Sequence, residues 1–178
     1  PNTLRSGRGA LVVVDRRRRR AHRRPLDTST VTDRPGPICL QGGRELTPPC
    51  DEMDRALLER SSGTVAVLAG AARPGSDYAG ASARTVAHYE RLGATVAVIP
   101  DPRDDHAAAL DALSMSIGLI VLPGGSPGGL LDVLTARPGD SEPTIGEQLV
   151  ALHESGIAVS GASAGAMVLC AETATPDR

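Results

Sequence analysis

From residue 37 onward, short runs of branched aliphatic residues ending in glycine alternate with polar and apolar stretches of helical length. That alternation is the pattern of βα units around a parallel sheet. Strands are predicted over 38–40, 64–69, 95–100, 118–122 and 157–160, each rich in β-branched residues and free of interior proline, as buried parallel strands require. Helices are predicted over 50–60, with Asp51 near its start and Gly63 beyond its end, over 81–92 closed by Gly93, over 105–113, and over 145–154 closed by Gly156. The fold class expected is α/β, a flavodoxin-like parallel sheet with flanking helices. In such sheets ligands gather outside the carboxyl ends of the strands, which draws attention to two glycine-rich strand exits, 124–125 and 161–165.

Composition changes this picture at the amino end. Residues 1–36 hold ten Arg against three Asp without any periodicity, and read as a disordered Arg-rich arm, whereas 37–178 hold nine Arg against eighteen acids. The chain has no Phe, Trp or Lys, so its core must be aliphatic. An acidic domain with so few aromatic rings offers neither the basic footprint nor the stacking surface of a nucleic-acid binder, so no nucleic acid is expected as a partner of the folded domain. No apolar run approaches a membrane span of about 20 residues, so no membrane partner is expected either. Cys39, Cys50 and Cys170 are scattered without metal-ligand spacing; no metal or other cofactor is expected, and a cytoplasmic location fits unpaired thiols. Self-association as a homo-oligomer stays open.

The second glycine-rich exit carries chemistry. Gly161-Ala162-Ser163-Ala164-Gly165 matches the G-x-S-x-G nucleophile elbow, in which the chain leaves a strand, turns sharply and enters a helix. Gly161 and Gly165 remove side chains that would collide at the turn, and Ser163 at its tip is expected in a strained conformation. The Ala164 N–H, at the amino end of the next helix, would donate to an oxyanion, and the glycine loop over 123–129, through Gly124 and Gly125, would supply a second donor. The competing reading is a strand-to-helix junction kept small for tight packing.

The elbow, Gly42-Gly43, Gly124-Gly125 and the segment Tyr89-Glu90-Arg91-Leu92-Gly93-Ala94 together resemble the peptidase S51 family, which includes dipeptidase E and cyanophycinase. The resemblance covers 37–178. It implies a class I glutamine amidotransferase-like fold with Ser163 as nucleophile, Gly124 and Ala164 at oxyanion positions, and small acidic peptides as substrates, such as aspartyl dipeptides or β-linked aspartyl-arginine polymer. Asp177 falls near the position of the family's acidic member. Two departures stand out: Ser126-Pro127 follow the paired glycines where the family carries Asp or Asn, then Gln or Thr, and the family's histidine base lies further downstream than this chain extends. A domain truncated at its carboxyl end is therefore expected.

No base is identified within the chain. His88 and His153 fall mid-to-late in predicted helices and are expected at or near the surface, His106 begins a helix and is the least implausible substitute, and His22 belongs to the arm. Cys170 is expected as a buried structural thiol, and Asp51, Glu52, Asp104 and Asp105 as solvated caps and loop charges. Two alternatives to a serine peptidase remain: a non-catalytic amidotransferase-like binding or regulatory domain, and an α/β-hydrolase-type esterase.

Overall fold

The computed structural model describes residues 34–114, 116–139 and 142–170. Residues 1–33 of the expected arm lie outside the described residues, as does Asp177. Gly36, at the end of that segment, donates its N–H to the carbonyl of His153 at 2.9 Å.

Five strands form one parallel sheet: β1 (Ile38–Gln41), β2 (Thr64–Val67), β3 (Val96–Val98), β4 (Ile117–Leu122) and β5 (Ala158–Ala162). Their order across the sheet is β1-β5-β4-β2-β3. Read from the other side, β3-β2-β4-β5 follow the flavodoxin-like order, with β1 added beyond β5, so the α/β class with flanking helices is as expected. The helices are α1 (Asp51–Leu58), α2 (Ser76–Arg91), α3 (His106–Ala112), α4 (Pro127–Thr135), α5 (Ile145–Glu154) and α6 (Ala164–Val168), with a short 3₁₀ turn (Pro48–Cys50) before α1.

Side-chain alternation along β4 explains the two cores. Ile120 and Leu122 point to the layer made by α3, α4, α5 and α6, where they meet Leu113, Leu130, Ile145 and Leu149. Leu119 and Val121 point the other way, to Leu57 of α1 and Tyr89 of α2. Both faces are covered, which is why the strand is apolar throughout rather than alternating.

Two helices depart from expectation. The segment 123–129 is not one open glycine loop, because Ser126 caps α4: its Oγ accepts from the Gly129 N–H at 3.2 Å and Pro127 occupies the first helical turn. Leu130, Val133 and Leu134 then bury the helix face. Helix α2 begins five residues earlier than the periodicity suggests, immediately after Gly75, and Tyr78 in that added turn is buried with its hydroxyl donating to the Ile99 carbonyl at 2.8 Å. Burial pushes the Tyr78 phenol well above its ordinary pKa.

Candidate functional site

The two glycine-rich exits become neighbours because β4 and β5 pair, with Leu122 opposite Gly161. Ser163 follows β5 at φ 48°, ψ −109°, a conformation that L-residues rarely adopt and that costs on the order of 1–3 kcal/mol. Packing enforces it. A Cβ on Gly165 would overlap the Leu122 carbonyl oxygen, and one on Gly161 would sit 2.6 Å from the backbone of Gly165. The Ser163 N–H donates to the Gln41 carbonyl at the end of β1 (2.8 Å), and the Ser163 carbonyl accepts from Met167 (3.0 Å), so the turn is pinned on both sides. Ser163 itself stays partly exposed.

Gly124 faces it across the β4 exit: a Cβ there would lie 3.0 Å from the Ser163 Cβ. Gly125, at φ 155°, packs on Ala71 at the exit of β2, and the next N–H, of Ser126, donates to the Ala71 carbonyl at 2.8 Å. The N–H groups of Gly124, Gly125 and Ala164 take no hydrogen-bond partner among the described residues. Three uncommitted N–H groups therefore lie on the elbow and on the glycine exit that faces it, beside a serine with a strained backbone. Helix α6 is short, so its contribution is the Ala164 N–H rather than a long macrodipole.

Two cavities, of about 620 and 570 Å³, share Ala81, Arg84 and Gly124 in their linings and make up the cleft region beside this loop. Arg84 is exposed and has no ion-pair partner among the described residues. Glu45, from the loop after β1, also lines the larger of the two cavities, and a Cβ on Gly124 would touch its Oε1. Sequence reasoning missed Glu45, because nothing in its local pattern shows that the chain turns it toward a loop eighty residues away.

A buried polar cluster underlies the cleft and corrects two expectations. His88, expected at or near the surface, is buried: its Nε2 meets Asp54 Oδ2 at 2.8 Å, and its Nδ1 lies 3.2 Å from an Arg91 Nη2. A guanidinium only donates, so Nδ1 accepts and the ring proton is assigned to Nε2, which donates to Asp54. Asp54 Oδ1 also accepts from Gln41 Nε2 (2.6 Å) and from the Tyr89 hydroxyl (3.0 Å). Burial, then the Asp54 charge, drives the Tyr89 phenol far above its ordinary pKa. Asp51, expected as a solvated cap, is instead gripped by Arg91 through two bonds of 2.7 and 2.8 Å, and those hydrogen bonds hold its carboxyl below the ordinary range. Helical spacing carried the missed signal: Asp54 shares a face with Leu57 and Leu58, and His88 with Ala81 and Thr85, all turned toward the sheet. Through Gln41 this cluster reaches the elbow, since the same residue holds Asp54 by its side chain and Ser163 by its carbonyl.

The other histidines stand away from Ser163. His106 opens α3, which packs on α5; its ring contacts the Pro143 carbonyl at 3.0 Å and makes no hydrogen bond to Ser163. His153 lies beside Ile157, at the opposite end of β5 from the serine. Cys170, expected as a buried thiol, is exposed, two residues beyond the end of α6 at Val168. Glu52, Asp104 and Asp105 are exposed as expected, with Asp105 capping α3 through the Ala108 N–H. Among the described residues no group of three or more His, Cys, Asp or Glu could hold a metal ion, and no helix is long and apolar enough to cross a membrane.

No protein-family model matches the chain, and no curated protein matches it. Among solved structures it is similar to a peptidase from an acI-B1 Actinobacterium, at 24% identity and a TM-score of 0.65; the likeness covers 79% of this chain, spans only 59% of that one, and is a likeness of fold.

Proposed function

We propose that this chain carries the nucleophile half of a serine peptidase site of the S51 kind, acting on small acidic peptides. The single observation that carries the reading is Ser163, held at positive φ between uncommitted N–H donors on two adjacent strand exits. In this reading the Ser163 Oγ attacks the scissile carbonyl carbon while the N–H groups of Ala164 and the Gly124 loop receive the oxyanion. The C–N bond then breaks, the amine departs with a proton, and water hydrolyses the acyl-serine ester. Arg84, exposed in the cleft and without an ion-pair partner among the described residues, favours a substrate carboxylate. The structural neighbour's being a peptidase adds support at the level of its fold.

The reaction needs a proton acceptor for Ser163. Among the described residues neither ring nitrogen of His88 is free, His106 bonds the Pro143 carbonyl, and His153 stands by Ile157 at the other end of β5. That observation favours a second reading, a domain that binds small acidic ligands without hydrolysing them. Amine release from aspartyl dipeptides separates the two. Turnover that is abolished by Ser163→Ala and reduced at least tenfold in kcat/KM by Arg84→Ala supports the peptidase, whereas saturable binding of the dipeptide without turnover supports the binding domain.

A further inference from the structure

The loop that presents Glu45 is built against its own backbone preferences. Arg44 at φ 57° and Leu46 at φ 59°, neither of them glycine, flank the glutamate on both sides. Such conformations cost on the order of 1–2 kcal/mol each and persist where the surroundings over-determine them. Here the Thr47 hydroxyl and the Cys50 thiol both donate to the Arg44 carbonyl, fixing the turn. The result is a half-buried carboxylate with no ion-pair or hydrogen-bond partner among the described residues, pressed against Gly124 and lining the cleft.

A bare carboxylate beside oxyanion donors is unfavourable for catalysis unless a cation stands between, because it repels the charge that develops on the substrate. Distances suit one cation. In a peptide with a free amino terminus the ammonium nitrogen lies two bonds, about 2.5 Å, from the first carbonyl carbon. That carbon must come within about 3–3.5 Å of the serine oxygen. An ammonium-to-carboxylate bond adds about 2.8 Å. A carboxylate that touches the residue facing Ser163, without bonding Ser163 itself, leaves that space open.

Resting on the peptidase reading for the identity of the reaction, we propose that Glu45 is a specificity residue that binds the free α-ammonium of the residue whose carbonyl Ser163 attacks. The site thereby takes peptides with an unblocked amino terminus and refuses acylated ones. Arg84 and Glu45 would then read opposite charges on one zwitterionic substrate.

The test is a nuclear magnetic resonance titration of the protein with L-aspartate and with N-acetyl-L-aspartate, which share every carboxylate and differ in the ammonium. The proposal expects L-aspartate to bind at least tenfold tighter, with the ratio falling to near one in Glu45→Gln and partly restored in Glu45→Asp. A wild-type ratio near one, a ratio untouched by Glu45→Gln in a variant that melts like the wild type, or binding of neither compound would overturn it. Parallel hydrolysis of aspartyl dipeptides with free and acetylated amino termini keeps the two readings separate. A Glu45-dependent preference without turnover sinks the peptidase and keeps the ammonium site; equal kcat/KM on both peptides, abolished by Ser163→Ala, does the reverse.

Discussion

Replacing Asp54 with Asn changes one atom of the buried cluster and tests the proton assignment on His88. The carboxylate now accepts from Gln41 and Tyr89 through Oδ1 and from His88 through Oδ2. An Asn oxygen can keep the first two, but its amide then faces the His88 Nε2–H donor to donor. Moving the ring proton to Nδ1 only transfers the conflict, since Arg91 donates there. One charge-assisted bond is lost and one buried donor is stranded either way, so Asp54→Asn should cost about 2–3 kcal/mol. For a domain of this size that is a fall of roughly 5–10 °C in Tm, measured by circular dichroism or by urea unfolding. His88→Ala removes the stranded donor, so the same Asn substitution should cost at least about 1 kcal/mol less in that background. An Asn variant within about 0.5 kcal/mol of wild type, with the same effect in both backgrounds, would refute the assignment and mean that water reaches the cluster.

Gly165→Ala drives a methyl into the Leu122 carbonyl and should lose about 3 kcal/mol or more in urea unfolding, while Gly128→Ala, which meets nothing, should stay within about 0.5 kcal/mol. Ser163→Gly relieves the positive φ and should stabilise the chain by about 1 kcal/mol while removing any serine chemistry; unchanged or lower stability would mean that the elbow stores no strain. Asp51, held low chiefly by hydrogen bonds from Arg91, and Glu147, held low chiefly by the Thr144 N–H, both protonate more readily in the unfolded chain. Their contribution to stability is complete at neutral pH and is lost as pH falls through and below about 4, and Arg91→Met should flatten part of that acid limb in Tm-against-pH curves.

The parts of the fold that rest on local chemistry were readable in the sequence. Helix α5 lies over 145–154, where its periodicity and Gly156 put it, and the structure adds a start signal that the sequence expectation did not include, the Thr144 side chain and the Glu147 carboxylate capping each other across one turn. The elbow was legible because small residues around Ser163 answer a steric demand that any strand-to-helix turn of this kind imposes. Helix α4 was not, since Gly128 and Gly129 favour a loop and only burial of Leu130 and Leu134 overrides them. Glu45 and the Asp54 cluster depend on which residues meet across α1, α2 and β1, a long-range property that spacing within one element does not encode.

The central claim is that Ser163 is an activated nucleophile. Labelling with a serine-reactive fluorophosphonate tests it most directly, applied to the protein and to its Ser163→Ala variant, with the 178-residue chain and any longer form that contains it assayed side by side. The account predicts labelling that disappears with Ser163→Ala. Labelling that survives the substitution, or none in either folded form, would contradict it.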